Sequence, residues 1–221
     1  IWDGLRKKHP HVLFESCASG GGRVDYGILP YCEQYWPSDN TDAIDRLSIQ
    51  YGYSFFYPPK YMRAWVTDCG CISNPREMPL AFRFHTAMCG ALGIGSNLTH
   101  LTSEEKQLYS RYITQYKQIR DIIQFGSFYR ISHYRDAPIH AVLYTTESNS
   151  VLFVFLISIK YKKTCYTVRL KGLDCSGYYC FEIDGVTYEK SGQYLISCGL
   201  TLDLNKDYES RLILLKRRTS T

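Results

Sequence analysis

The chain has no Cys-x-x-Cys pair and no apolar run near the roughly 18 residues that a membrane-spanning helix takes. Neither sign of charge dominates: 26 Lys and Arg face 21 Asp and Glu, a formal net charge of +5. The basic runs (6–8, 160–163, 216–218) are short, which argues against a nucleic-acid stripe. Nine cysteines at 17, 32, 69, 71, 89, 165, 175, 180 and 198 make an odd number without metal-ligand spacing, so no metal is expected. Most of them are expected as buried free thiols in a reducing, cytoplasmic setting. No secretory leader pattern opens the chain, and its start inside a helix-like segment (Trp2 to His9) suggests part of a longer protein. Asn97-Leu98-Thr99 is a glycosylation sequon, given no weight without a sign of secretion.

What is present is ordinary in bulk and unusual in places. Hydrophobic residues make up 45% and charged residues 21% of 221, as in folded globular proteins. Tyrosine is abundant, 20 against 10 Phe and 3 Trp, which suits β-rich structure or a surface for polar ligands.

Two rhythms divide the sequence. Up to about residue 128, short apolar runs alternate with helical patterns. Strands are expected over 12–17, 29–36, 61–67 and 92–98. Helices are expected from Thr41, over 78–90, and from Ser103 onward with Leu108, Tyr109, Tyr112, Ile113, Tyr116, Ile119 and Ile123 at helical spacing. Thr41 reads as an N-cap, with Asp42 and Asp45 in the first turn, and Ser103 or Thr102 caps the long helix. Such alternation predicts an α/β architecture, a partial (β/α)8 barrel of about four units. From about 137 the helical rhythm stops. Strands at 141–145, 151–158, 167–170, 178–183, 193–196 and 211–215, punctuated by glycines, predict an antiparallel β-sandwich. The domains are set at 1–130 and 131–221.

Chemistry concentrates where the first two strands end. Glu15-Ser16-Cys17-Ala18-Ser19-Gly20-Gly21-Gly22-Arg23 lets backbone approach a ligand closely. No Gly-Lys-Ser/Thr follows, which excludes a phosphate loop. Trp36-Pro37-Ser38-Asp39-Asn40-Thr41-Asp42 puts an aromatic ring three residues before a carboxylate. A ring, a carboxylate and a glycine-walled pocket suit a sugar-cleaving site. From spacing alone Asp39 reads more readily as a turn or capping residue and Arg23 with Asp25 as a structural ion pair, while Gly20 to Gly22 equally suit a tight turn. His85 and His100 read as structural.

These blocks resemble glycoside hydrolase family 36 α-galactosidases. Glu15 to Asp25 is similar to that family's Glu-Ser-Cys-Ser/Ala-Ser/Gly-Gly-Gly-Gly-Arg-Phe-Asp signature, and Trp36 to Ala43 to its Trp-Thr-Ser-Asp-Asp/Asn-Thr-Asp-Ala block. Ile49 to Gly52, Tyr57-Pro58-Pro59, Gln124 to Arg130, Ser191 to Leu202 and Asp207 to Arg211 continue the likeness over nearly the whole chain.

The resemblance implies retaining hydrolysis of terminal α-galactosides, with two carboxylates flanking the glycosidic bond. Asp39 matches the acid/base position. Trp36 would stack on the sugar, and Cys17, Gly20, Ser19 and Arg23 would line its pocket. The substrate is a small oligosaccharide of the raffinose type. No cofactor, metal, nucleic acid or membrane is implied, and the family suggests a homo-oligomer, a tetramer.

The family's nucleophile lies in a Lys-Trp-Asp motif on an earlier strand. Trp2-Asp3 echoes it in a charged helical context and reads as surface helix, so the nucleophile is expected upstream and the isolated chain is expected to be inactive. Where many members carry Pro-Asn-His-Gln, this chain has a Cys69-Gly70-Cys71-Ile72-Ser73-Asn74 segment. A non-catalytic carbohydrate-binding relative, an α-N-acetylgalactosaminidase and a galactosyl-transferring relative stay open as alternatives.

Overall fold

Short apolar runs that end in small or polar residues fold here as short parallel strands, and the capped periodic segments as the helices between them. The computed structural model describes residues 1–70 and 74–218, so Cys71 to Ser73 lie outside the described residues. Helix α1 (Trp2–Lys8) leads to strands β1 (Glu15–Ser16) and β2 (Gln34–Tyr35). Helix α2 (Ala43–Tyr53) and a single 3-10 turn precede β3 (Arg63–Val66), and α3 (Leu80–Met88) precedes β4 (Ala91–Ile94). β1 pairs with β2 and β3 with β4, both in parallel, and a parallel bridge from Tyr35 to Met62 joins the two pairs. The strand expected over 12–17 contracts to two residues because Val12 and Leu13 are exposed rather than buried.

Two helix starts carry full caps. Asp42, not Thr41, caps α2: its carboxylate accepts from the backbone N–H of Ile44 and Asp45, both at 3.0 Å. Thr41 instead accepts a hydrogen bond from the Thr67 hydroxyl at 3.0 Å. The long helix α4 (Ser103–Phe125) opens on a capping box, with Thr102 and Glu105 each bonding the other's backbone N–H.

The second half is built on antiparallel pairs. Strands β5 (Ser127–Ser132), β6 (His140–Thr145) and β7 (Asn149–Leu156) are followed by β8 (Cys165–Val168), β9 (Tyr178–Ile183) and β10 (Val186–Ser191). Helix α5 (Gly192–Ser197) leads to β11 (Leu200–Asp203) and β12 (Glu209–Arg217). Six strands form one sheet in the order β10-β9-β12-β7-β6-β5, and β11 pairs with β8 apart from it. The sheet thus begins at Ser127, ahead of the expected boundary at 131.

The segment 193–196, expected as a strand, is part of α5. Ser191 caps it by accepting from the Tyr194 N–H at 3.2 Å, and Leu195 fills the core. A Cβ on Gly192 would collide with the Asp174 carbonyl, so only glycine lets the helix start there.

β6 and β7 are buried almost end to end because both of their faces are covered. Val142, Tyr144, Val151, Phe153 and Phe155 face Leu47, Phe82, Phe84, Met88 and Ile119 of the helices. Ala141, Leu143, Leu152, Val154 and Leu156 face Tyr166, Val168, Leu195, Leu200 and Leu202. The helices therefore share a hydrophobic core with the sheet. His85 of α3 adds a polar tie, its Nδ1 lying 2.8 Å from the Ser210 hydroxyl of β12.

Candidate active site

The turn after β1 and the turn after β2 lie directly against each other. Ser19 and Gly20 take φ of +45° and +78°, the left-handed region. A Cβ on Gly20 would sit 2.9 Å from Ser38 Cα and 3.1 Å from Asp39 N, and one on Gly21 would sit 2.7 Å from the Pro37 carbonyl oxygen. The glycines thus make room for protein backbone, the segment 37–39.

That segment presents Asp39. Its carboxylate is exposed, and its Oδ1 accepts a hydrogen bond from Trp36 Nε1 at 2.8 Å. Asp39 Oδ2 takes no hydrogen bond among the described residues. The neighbouring carboxylates are engaged elsewhere. Asp42 caps α2 and bonds Arg76 at 2.6 Å. Asp45 takes Arg76 at 3.2 Å and Asn40 Nδ2 at 2.9 Å. Glu15 lies within ion-pair distance of Arg63, at 3.2 Å.

Trp36, expected as the sugar-stacking ring, is only 7% exposed. Its ring centroid lies 4.6 Å from that of Trp65, and the Arg46 guanidinium stands 5.2 Å from it on the ring face. From this position its Nε1 donates to Asp39. Arg46 is itself buried, donating to the carbonyls of Ser38 at 3.2 Å and Arg63 at 2.7 Å and to Gln50 Oε1 at 3.3 Å. Burial pulls its pKa down to about 10.

Of the other expected residues, Cys17 and Arg23 line one concavity of about 290 Å³ with Trp2, Glu15, Ser16, Asp25 and Ile28. Trp36 and Asp39 do not line it. Arg23 makes no ion pair with Asp25 among the described residues: Arg23 Nη1 reaches the Cys17 carbonyl at 3.5 Å, and Asp25 accepts from the Ile28 N–H at 3.0 Å. Ser19 is exposed and Gly20 buried in the turn. Asp3 lies in α1, where its carboxylate raises the pKa of the neighbouring Tyr31 hydroxyl. The eight described cysteines are free thiols, but only Cys32 and Cys89 are buried. Among the described residues no cluster of His, Cys, Asp and Glu is arranged to hold a metal ion, and no helix is long and apolar enough to cross a membrane.

Two residues of this site carry no motif. Trp65 alternates with Ala64 and Val66 along β3, and those two point into the core. The alternation itself was the available signal, since it puts Trp65 on the opposite face. Arg46 reads in sequence as a solvated helix residue, and nothing local marks it as buried.

The Melibiase family model matches residues 1–126, and the model for the glycosyl hydrolase family 36 C-terminal domain matches residues 139–215. The chain belongs to glycoside hydrolase family 36. It is 36% identical over 223 residues to α-galactosidase 2 of Hypocrea jecorina, covering 99% of this chain and 29% of that protein. It is 38% identical over 204 residues to α-galactosidase AgaA of Geobacillus stearothermophilus, covering 91% and 28%. A family 36 AgaA variant solved with raffinose superposes with a TM-score of 0.92 at 36% identity, covering 98% of this chain and 30% of that one. The galactosidase domain of the α-galactosidase–sucrose kinase AgaSK superposes equally well, with 34% identity and the same coverage. The chain thus spans less than a third of the length of these relatives.

Proposed function

We propose that the parent of this chain hydrolyses terminal α-galactosyl residues of raffinose-type oligosaccharides by retaining double displacement, with Asp39 as acid/base. The observation that carries the reading is the Trp36 Nε1 to Asp39 Oδ1 hydrogen bond of 2.8 Å. It fixes one carboxylate oxygen of an exposed residue and leaves the other without a hydrogen bond among the described residues. A group that protonates a leaving oxygen and later takes a proton from water needs this: a set position and an open second oxygen. The partner carboxylate, which attacks the anomeric carbon, comes from the upstream part of the parent, so this chain alone does not turn over.

In this reading the four parallel strands are half of a (β/α)8 barrel, and the antiparallel unit is its C-terminal sandwich. Catalytic groups of such barrels sit at the C-terminal strand ends, and Asp39 follows β2 there. Cys17, Ser19, Gly20 and Arg23 flank the galactosyl pocket. Exposed free thiols suit a cytoplasmic protein, and the parent assembles as a homo-oligomer, a tetramer.

The test compares wild-type parent with Asp39→Ala on a nitrophenyl α-galactoside and on raffinose. Raffinose turnover should collapse, the activated aryl substrate should suffer much less, and azide should restore part of the aryl activity. Near-wild-type turnover of both substrates by the variant would overturn the assignment.

A further inference from the structure

We propose that the small cavity between α2, α3 and β3 is a halide site, filled in the protein by a chloride ion. The proposal is independent of the reaction assigned above.

The cavity measures about 10 Å³, room for one water-sized occupant. Thr41, Ala43 and Arg46 line it from the start of α2, Thr67 from the end of β3, and Arg83 and Thr86 from α3. All of these segments belong to this chain, so no wall of the cavity waits for the upstream part of the parent.

Two of the lining groups are buried without a partner. The Thr86 hydroxyl and Arg83 Nε are shut off from solvent and bond to nothing among the described residues, and Thr86 as a whole is 2% exposed. The gap is specific, because other atoms of both residues are satisfied. The Thr86 carbonyl accepts from Gln50 Nε2 at 3.0 Å, and Arg83 Nη1 donates to the Thr67 carbonyl at 2.8 Å. A buried polar atom left alone costs about 1–3 kcal/mol, so such a pair of atoms marks an occupant.

Charge says which occupant. Both cations on the cavity wall are arginines, and neither forms an ion pair among the described residues. Arg46 uses Nε, Nη1 and Nη2 once each, on Gln50, Ser38 and Arg63, which leaves two of the five N–H groups of its guanidinium. Burial is what lowers its pKa, with no carboxylate acting against it. The carboxylates of the adjoining segments are engaged elsewhere: Asp39 by Trp36, Asp42 by Arg76 and the first N–H groups of α2, Asp68 by the Asn97 N–H. The first turn of α2, at Ala43, adds the positive end of a helix dipole. The groups seeking a partner are thus donors, guanidinium N–H groups and hydroxyls that can turn their hydrogen inward. A water accepts from only two donors and leaves the charge unbalanced. A halide accepts from all sides and supplies the missing negative charge. Phosphate and sulfate are too large for the space. Arg46 spans from this cavity to the Ser38 carbonyl, so the ion also braces the turn that carries Asp39.

The test uses the full-length parent, melted in sodium chloride and in sodium gluconate at equal ionic strength, as wild type, Thr86→Val and Arg83→Met. A second arm locates bromide by its anomalous scattering in crystals of the wild-type parent soaked in sodium bromide. Chloride should raise the wild-type melting temperature saturably, by roughly 2 °C over gluconate once the site is filled. Thr86→Val should lose about half of that rise, since one donor goes, and Arg83→Met nearly all of it. The bromide peak should stand beside Thr86 Oγ1 and Arg83 Nε. If a variant does not fold, the bromide position in the wild type decides. Bromide absent from the cavity, whatever the melts show, would make the occupant a water and overturn the proposal. A chloride rise that both folded variants keep in full would place the ion elsewhere and overturn it as well.

Discussion

The guanidinium of Arg46 donates to the carbonyl of Ser38 at 3.2 Å, one residue before Asp39. A buried cation thus holds the backbone that carries the candidate acid, and it faces backbone oxygens and an amide, with no carboxylate bonded to it among the described residues. Replacing Arg46 by Met should destabilise the protein by about 2–4 kcal/mol, because three buried or half-buried acceptors lose their donor. Urea unfolding checks this. Arg46→Lys should recover only part, since a single ammonium cannot reach three acceptors in different directions.

Glycines 20 and 52 should respond to alanine in opposite ways. At Gly20, φ is +78° and the new Cβ would press on Ser38 and Asp39. Gly20→Ala should cost about 1–3 kcal/mol and shift Asp39. Gly52, in α2, has open space where a Cβ would go, and Gly52→Ala should be neutral or stabilise by up to about 1 kcal/mol. Paired thermal melts of the two variants test the contrast.

Asp42 and Asp39 should separate stability from turnover. Asp42→Ala removes the α2 cap and the Arg76 contact, which should cost about 1–2 kcal/mol, while Asp42→Asn retains most of the cap. Asp39→Asn should leave the melting temperature within a few degrees of wild type and abolish raffinose turnover by the parent. A stability loss for Asp39→Asn as large as for Asp42→Ala would make Asp39 a structural turn residue.

Acid should loosen the seam between helices and sheet. Burial lowers the pKa of His85 to about 4, with Arg211 adding to it, and that of His140 to about 3, with His133 adding to it. Unfolded histidine titrates near 6.5. Below that value the unfolded chain takes up protons that the folded one refuses, so stability rises with pH in this window. It is full above about pH 6.5 and is lost as the pH falls toward 4, by about 1 kcal/mol per pH unit for each histidine. Urea titrations from pH 7 to 4.5 measure the slope. His140→Leu, which also removes a buried Nδ1 without a partner among the described residues, should reduce it by about half.

Much of this was legible in the sequence because the signals were local. The Thr102–Glu105 capping box, the period of α4 and the run of β9 each follow from neighbouring residues. The Gly20 and Asp39 turns were also visible as motifs. Their contact was not, because it joins segments nearly twenty residues apart. α5 misled because Tyr194, Leu195 and Ile196 read as a strand, and the deciding element, the collision a Cβ at Gly192 would have with the Asp174 carbonyl, is tertiary. The cysteine expectation failed in a similar way: strand-like context suggested burial, yet Cys165 opens β8 on its exposed face, ahead of buried Tyr166. Trp36 stands in a motif, whereas the contact that Trp65 makes with it is read only from the face that Trp65 occupies on β3.

The shared core beneath β6 and β7 bears on how such a protein can be cut and recombined. A boundary drawn at the end of α4 looks like a natural joint, but severing there would leave Phe82, Phe84 and Met88 without the strands that cover them. The antiparallel unit is a lid on the helices as much as a lobe of its own. It cannot be traded between relatives as a free cassette unless the matching helix faces travel with it.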